Sequence, residues 1–467
     1  KCGDSINTGT SNTALGWALY DNTTGSRNTA IGQYTLANNT TANDNHAIGY
    51  LALDANTTGH NNIAIGSYAL DANVTGNYNI GIGNSSLSAN TGNENVALGT
   101  EALRDNAGGS QNTALGYVAL KVNTSGQLNT AVGMAALQAC TTAEGQVGMG
   151  YRALFASTTG GNNVAIGKDA CFSQTTADSV TCVGMNCGRS NTANGFTAYG
   201  RSAGYANTSG EGNTYIGRSA GDSGTTGNYN TALGYTSLDA AVTGSDNTAI
   251  GSSALTAQTT SPQNTALGAA AGNQVSTGGY NVLLGYRAGA YANAITTGNK
   301  NIIIGTDAHT SSASGEYQIV IGTHQDIGKG NNTGYIQPAS GGVYQGNNSS
   351  SWSTTSDKRI KKNIVDNNTG LDAINQITVR NFEYRSEDEI IEDYPELTDV
   401  VKSAVVDKSG LQLGCIAQEI ESILPDVVKT ESTGVKSVNP DNLTWYLVNA
   451  VKELSAKVEA LENQLNN

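Results

Sequence analysis

Side chains able to do chemistry are sparse in this 467-residue chain, and most stand alone. The four histidines (His46, His60, His309, His324) are scattered. Cys171, Cys182 and Cys187 lie close together, but no Cys-x-x-Cys pair or nearby His completes a zinc set. Cys182 and Cys187 occupy positions that neighbouring segments fill with Ala, so small buried thiols are expected. Asp21, Asp54, Asp71 and Asp239 each come five residues after a recurring Gly. The Gly-Gly-x-Gly-x-Asp pattern of calcium-binding nonapeptides is absent, so these read as turn formers. A Thr column (Thr13, Thr29, Thr113, Thr130, Thr231, Thr248, Thr265) is interrupted by His46, Ile63, Ile80 and Val96, which argues against a regular ice-binding array. Neither a metal nor a cofactor is expected. The densest chemistry is basic: Ser356 and Asp357 are followed by Lys358, Arg359, Lys361 and Lys362. Alone, that run reads as a solvated basic patch, or as one that touches a polyanion.

The elements that carry these residues are of two kinds. Residues 1–350 hold 12 Lys/Arg and 18 Asp/Glu; residues 351–467 hold 12 and 20 in a third of the length. Of 58 glycines, 54 precede the break and 4 come after it, and the change falls in the low-complexity stretch 346–355. Gly without Pro (5) and without a three-residue period excludes collagen. A net charge of −14 argues against nucleic acid as the main partner. No run approaches the roughly 18 apolar residues of a membrane helix, so a soluble chain without membrane insertion is expected. It begins at Lys1, so the numbering is expected to start inside a longer protein.

The first part is a repeat. NTALG, NTAIG, NIAIG and NVALG recur with glycines from Gly16 through Gly116 and Gly217 to Gly322, nineteen in all. Steps are 16 or 17 residues except Gly285 to Gly305, which is 20. Alternation in Asn-Thr-Ala-Ile puts Thr and Ile on one face of a short strand and Asn and Ala on the other. An Ala-Leu pair (Ala69-Leu70, Ala102-Leu103) forms a second segment, and Asn-Thr-Thr-Gly supplies a turn. Such segments bury an apolar face only by stacking, which is the logic of a solenoid. At about 4.8 Å per strand spacing, nineteen coils span roughly 90 Å. Ala and Gly dominate the expected interior, so a thin core is predicted.

After the break, LDAINQITVRNFEY reads as helix then strand, and LQLGCIAQEIESILPDVVKTE as strand, short helix, stop and strand. The last segment has Asn439 as N-cap and Pro440 at the first helical position. Leu447, Val451, Leu454, Val458, Leu461 and Leu465 form a short heptad seam.

The NTAIG-x-x-AL unit, over residues 5–325, resembles the left-handed parallel β-roll of trimeric autotransporter adhesin heads and related phage tail-fibre shafts. That resemblance implies a mainly β homotrimer in which the Ile-Gly step forms the tight inner corner. Three ordered motifs over residues 352–467 resemble the C-terminal intramolecular chaperone of phage tailspikes, endosialidases and neck appendages. They are Ser-Asp-x-Arg-x-Lys-x-Asn-Ile, Gly-x-Ile-Ala-Gln-Glu-x-Glu-x-x-x-Pro and the closing helix. The expected organisation is a shaft over 1–325, a transition over 326–355 and a small α+β chaperone and autoprotease over 356–467.

That family's Ser–Lys dyad falls on Ser356 and Lys361, with the cut between Thr355 and Ser356. A Lys serves as base only when its neutral form is favoured; Lys358, Arg359 and Lys362 push that way and Asp357 pushes back. Five residues apart, the pair diverges by about 140° on a helix and faces opposite sides of a strand. The dyad therefore needs a turn, or a Lys361 from a neighbouring chain. The resemblances imply a trimeric phage tail fibre or tailspike of the virion that binds a host-surface receptor, either a glycan or an outer-surface protein. A bacterial cell-surface adhesin with the same chaperone is the alternative. A glycan depolymerase would need two acids presented together, and a solenoid spreads them one per coil.

Overall fold

The computed structural model describes residues 8–337, 343–346, 352–353, 358–395, 409–431 and 434–466. The chain divides into two compact units, 1–355 and 356–467.

Unit 1 is mainly β, a parallel β-solenoid of about 19 turns. Twenty strands, β1 (Thr13–Leu15) to β20 (Gly334–Gln337), pair in parallel with their sequence neighbours. Equivalent repeat positions stack in register, for example Val96 on Thr113 and Leu98 on Leu115. The ladder runs one rung past the last motif glycine. It then turns antiparallel through β21 (Val343–Gln345) and β22 (Trp352–Ser353). The 20-residue step leaves the ladder intact, because Val282 still pairs with Ile302 and Ile295 tucks into the core.

Strand alternation holds, and Asn with Ala is the inner face. Ala30, Ala47, Ala64, Ala97 and Ala114 have no exposed surface, whereas Leu98 and Leu115 are more than 40% exposed. The interior differs from the thin Ala/Gly core expected. The Ala-Leu segment is a run of tight turns, and its Leu is fully buried in coil after coil, as at Leu53, Leu70, Leu87, Leu103 and Leu120. Each of these leucines has a φ between 50° and 53°. Left-handed backbone costs a non-glycine residue roughly 1–2 kcal/mol. Burying a Leu side chain contributes about 1.5–3 kcal/mol, so the corner is held by the side chain it sends inward.

Two stacks of buried asparagines complete the interior. In one, Asn62 N donates to Asn45 Oδ1 at 3.0 Å and Asn62 Nδ2 to Gly76 O at 2.9 Å. In the other, Asn56 Nδ2 donates to Asn39 Oδ1 at 3.0 Å and to Gly59 O at 2.9 Å. These amides satisfy turn carbonyls that a narrow coil cannot pair with its own backbone. Motif glycines are required by approach as well as by φ. A Cβ on Gly116, at φ +138°, would lie 2.6 Å from the carbonyl carbon and oxygen of Gly133.

Unit 2 is a small α+β body. Its elements are α1 (Leu371–Ile374), β23 (Arg380–Phe382), α2 (Glu387–Asp393), β24 (Gln412–Gly414), α3 (Ala417–Glu421), β25 (Val428–Thr430), β26 (Lys436–Val438) and α4 (Pro440–Leu465). β23 pairs with β24 and β25 with β26, both antiparallel. Ala373, Ile420, Leu424, Val427 and Tyr446 form its core. Asn439 caps α4 as expected, accepting from Asp441 N at 3.0 Å.

Candidate self-cleavage site

Thr355 and Ser356 lie outside the described residues, so no distance joins Ser356 to Lys361. The intervening chain does supply a turn. Lys358–Ile360 forms a 3-10 helix, and Lys361 N donates to Lys358 O at 3.3 Å. The Lys361 side chain is exposed in the single chain.

Residues 367–371, just beyond Lys361, are tied to the closing helix. Asn449 Nδ2 donates to Asn367 O at 2.8 Å and to Thr369 O at 3.2 Å. Leu371 N donates to Glu453 Oε2 at 2.9 Å, which places a carboxylate at the start of α1. Deeper in the unit, Tyr446 OH donates to Asp426 Oδ2 at 2.7 Å. That bond, with burial, holds the phenol above its ordinary pKa. One face of α4 is thus committed to its own unit through Tyr446 and Ala450. The seam Leu447, Val451, Leu454, Val458, Leu461 and Leu465 is exposed along the other.

Two features of unit 2 were not anticipated. Helix α2 starts with a capping box: Ser386 Oγ accepts from Glu389 N, and Glu389 Oε2 accepts from Ser386 N at 2.8 Å. The Ser-x-x-Glu spacing was the available signal. The Asn449 and Glu453 anchors carry no sequence signal, because on a helix surface they look like any polar pair.

In unit 1 the thiols of Cys171, Cys182 and Cys187 are buried together. Burial, with these neighbouring thiols, pushes Cys182 well above the usual thiol range and keeps it protonated. Among the described residues no group of three or more His, Cys, Asp or Glu is placed to hold a metal ion. The acids remain one per coil, and acids at equivalent positions of adjacent coils lie close enough to interact. Asp54 faces Asp71, and Asp222 faces Asp239, because register stacks equivalent positions.

The profile of the family described as chaperone of endosialidase, a self-cleaving peptidase family, matches residues 356–429. No curated relative matches the chain. A parallel solenoid of about 19 turns followed by this chaperone segment fits a tailspike or endosialidase-type fibre.

Proposed function

We infer that the chain is a homotrimeric tail fibre or tailspike of a phage virion, used for attachment to a host-surface glycan or protein. Its C-terminal unit promotes assembly of the solenoid and then cuts itself off before Ser356. The observation that carries this reading is one of position. The family match begins at residue 356, and the same bond separates the two compact units. The exposed heptad seam of α4 and the outward Ile and Leu of the shaft strands support a trimer, since both are apolar rows without a partner in the single chain.

The chemistry balances with one water. Lys361 takes the Ser356 hydroxyl proton as Oγ attacks the Thr355 carbonyl, and the C–N bond breaks as that proton passes to the Ser356 amine. The resulting Thr355 ester is then hydrolysed, which frees the Thr355 carboxylate and restores the hydroxyl. A base Lys must be held neutral, which burial favours. Lys361 is exposed in one chain, so a neighbouring chain in the trimer supplies the cover, and cleavage waits for assembly.

Denaturing electrophoresis tests this. Wild type should give fragments 1–355 and 356–467, and Ser356→Ala a single full-length band. Lys361→Ala should remain trimeric and be cut slowly or not at all. Cleavage of Ser356→Ala at the wild-type rate would overturn the assignment.

A further inference from the structure

The shaft's cations are not evenly neutralised. Arg27, Arg104, Lys121, Arg152 and Arg287 each hold a carboxylate. Lys300 donates to Tyr317 OH. Among the described residues of the shaft, the cations that hold neither a carboxylate nor a phenol hydroxyl are Lys168, Arg189, Arg201, Arg218 and Lys329. Lys329 stands apart, over the Tyr335 ring. The other four fall in four consecutive coils. In these coils Asp169 holds Arg152, and Asp222 forms no ion pair with Arg218.

Three of these cations share one column, the position directly after the motif glycine. Backbone bonds give its order: Asn186 N to Lys168 O, Ser202 N to Met185 O, Ser219 N to Arg201 O and Thr236 N to Arg218 O, each 2.9–3.1 Å. The column therefore reads Tyr151, Lys168, Met185, Arg201, Arg218, Tyr235 on successive rungs, about 24 Å end to end at roughly 4.8 Å per rung. Its three cations are exposed, and Tyr151 and Tyr235 are 37% and 50% exposed. Arg218 lies 5.5 Å from the Tyr235 ring centre and Lys168 6.0 Å from that of Tyr151. Beside the column, Arg189 lies over both Phe172 and Tyr205 at 4.9 and 5.9 Å. Like charges on adjacent rungs repel. Arg201 directly on Arg218, in a chain of net charge −14, is an arrangement that an anion relieves.

We propose that this tyrosine-ended cationic column binds an anionic polysaccharide, carboxylates meeting the Arg forks and sugar faces resting on the tyrosines. The inference rests on the host-attachment reading and names its ligand class.

The test uses the full chain, with alginate as the carboxylated probe and dextran as the neutral one, read by surface binding. Wild type should bind alginate and not dextran, and added salt should weaken binding. Arg201→Ser with Arg218→Ser should weaken it about tenfold or more, because both variants remove charge-assisted hydrogen bonds to the ligand's carboxylates. Arg104→Ser, which removes a cation already paired with Asp105, should not change it. Unchanged alginate binding by the double variant would overturn the proposal, as would equal binding of duplex DNA. A double variant that loses subunit assembly rather than binding would also overturn it, by assigning these cations to contacts between copies. A wild-type chain that is trimeric and cuts itself yet ignores alginate overturns this proposal alone. A monomeric, uncut chain overturns the fibre reading instead.

Discussion

Asp222 and Asp239 stand at the same position of adjacent coils, each half-buried with one carboxylate oxygen lacking a hydrogen-bond partner. Burial raises the pKa of both, and the charge of Asp222 raises Asp239 further. A carboxyl raised in the folded state contributes stability that is complete below its unfolded pKa and lost as pH rises through the folded value. Asp239→Asn should therefore raise the melting temperature at pH 7. That gain should shrink through mildly acidic pH and vanish below the ordinary Asp value of 3.8. Thermal melts across that range check the sign, and a gain independent of pH would refute the electrostatic origin. The same reasoning places Cys182 among packing residues, since a thiol held protonated and buried is a poor nucleophile.

At the scale of the coil, volume is conserved by exchange between neighbouring positions. Where the buried corner Leu gives way to Gly204 and Gly221, an aromatic ring from the adjoining strand region fills the space. A Cβ on Gly204 would sit 2.3 Å from Phe196 Cζ, and one on Gly221 2.7 Å from Tyr215 Cε2. Tyr215→Ala should cost about 3–5 kcal/mol, as for other buried aromatics. Gly221→Leu alone should also destabilise, by overpacking against the ring. Together they should recover part of the loss, since Leu occupies this left-handed corner in most other coils. A double-mutant cycle from denaturant melts measures that coupling. Simple additivity would show that the ring and the corner do not share one space.

For the whole molecule, register is the central difficulty. Many near-identical coils offer many offsets between chains, and a slipped pairing is almost as well packed as the correct one. Under the proposed trimeric reading, a C-terminal unit with its own core and an exposed heptad seam would provide one place where three chains align before the repeats zip. Light scattering should give about three times 47.9 kDa for uncut Ser356→Ala. Val451→Asp with Val458→Asp should yield monomer or aggregate and leave an otherwise wild-type chain uncut. Shaft made without residues 356–467 should likewise be monomeric or aggregated. A truncated shaft that forms normal trimers would show the chaperone to be dispensable.

The period of 16 or 17 residues, the alternation in Asn-Thr-Ala-Ile and the composition break near residue 350 were enough to specify a stacked solenoid, a separate C-terminal unit and the Asn439-capped helix. Periodicity is written in the chain itself, and stacking equivalent positions is its direct consequence. Other features depended on neighbours that are distant in sequence. That Leu rather than Ile fills the core comes from a positive φ at each corner, which the Ala-Leu pair does not advertise. That asparagines run inward as ladders comes from turn carbonyls of the next coil needing donors. The meeting of Asp222 with Asp239, the bare column of Lys168, Arg201 and Arg218, and the anchoring of residues 367–371 by Asn449 and Glu453 likewise arise only when register sets those side chains against one another. For Ser356 and Lys361, the proposed roles come from the sequence motif alone, and the structure adds the 3-10 turn between them. Charge, burial and partnership are properties of pairs of residues, and only the tertiary structure decided which pairs exist.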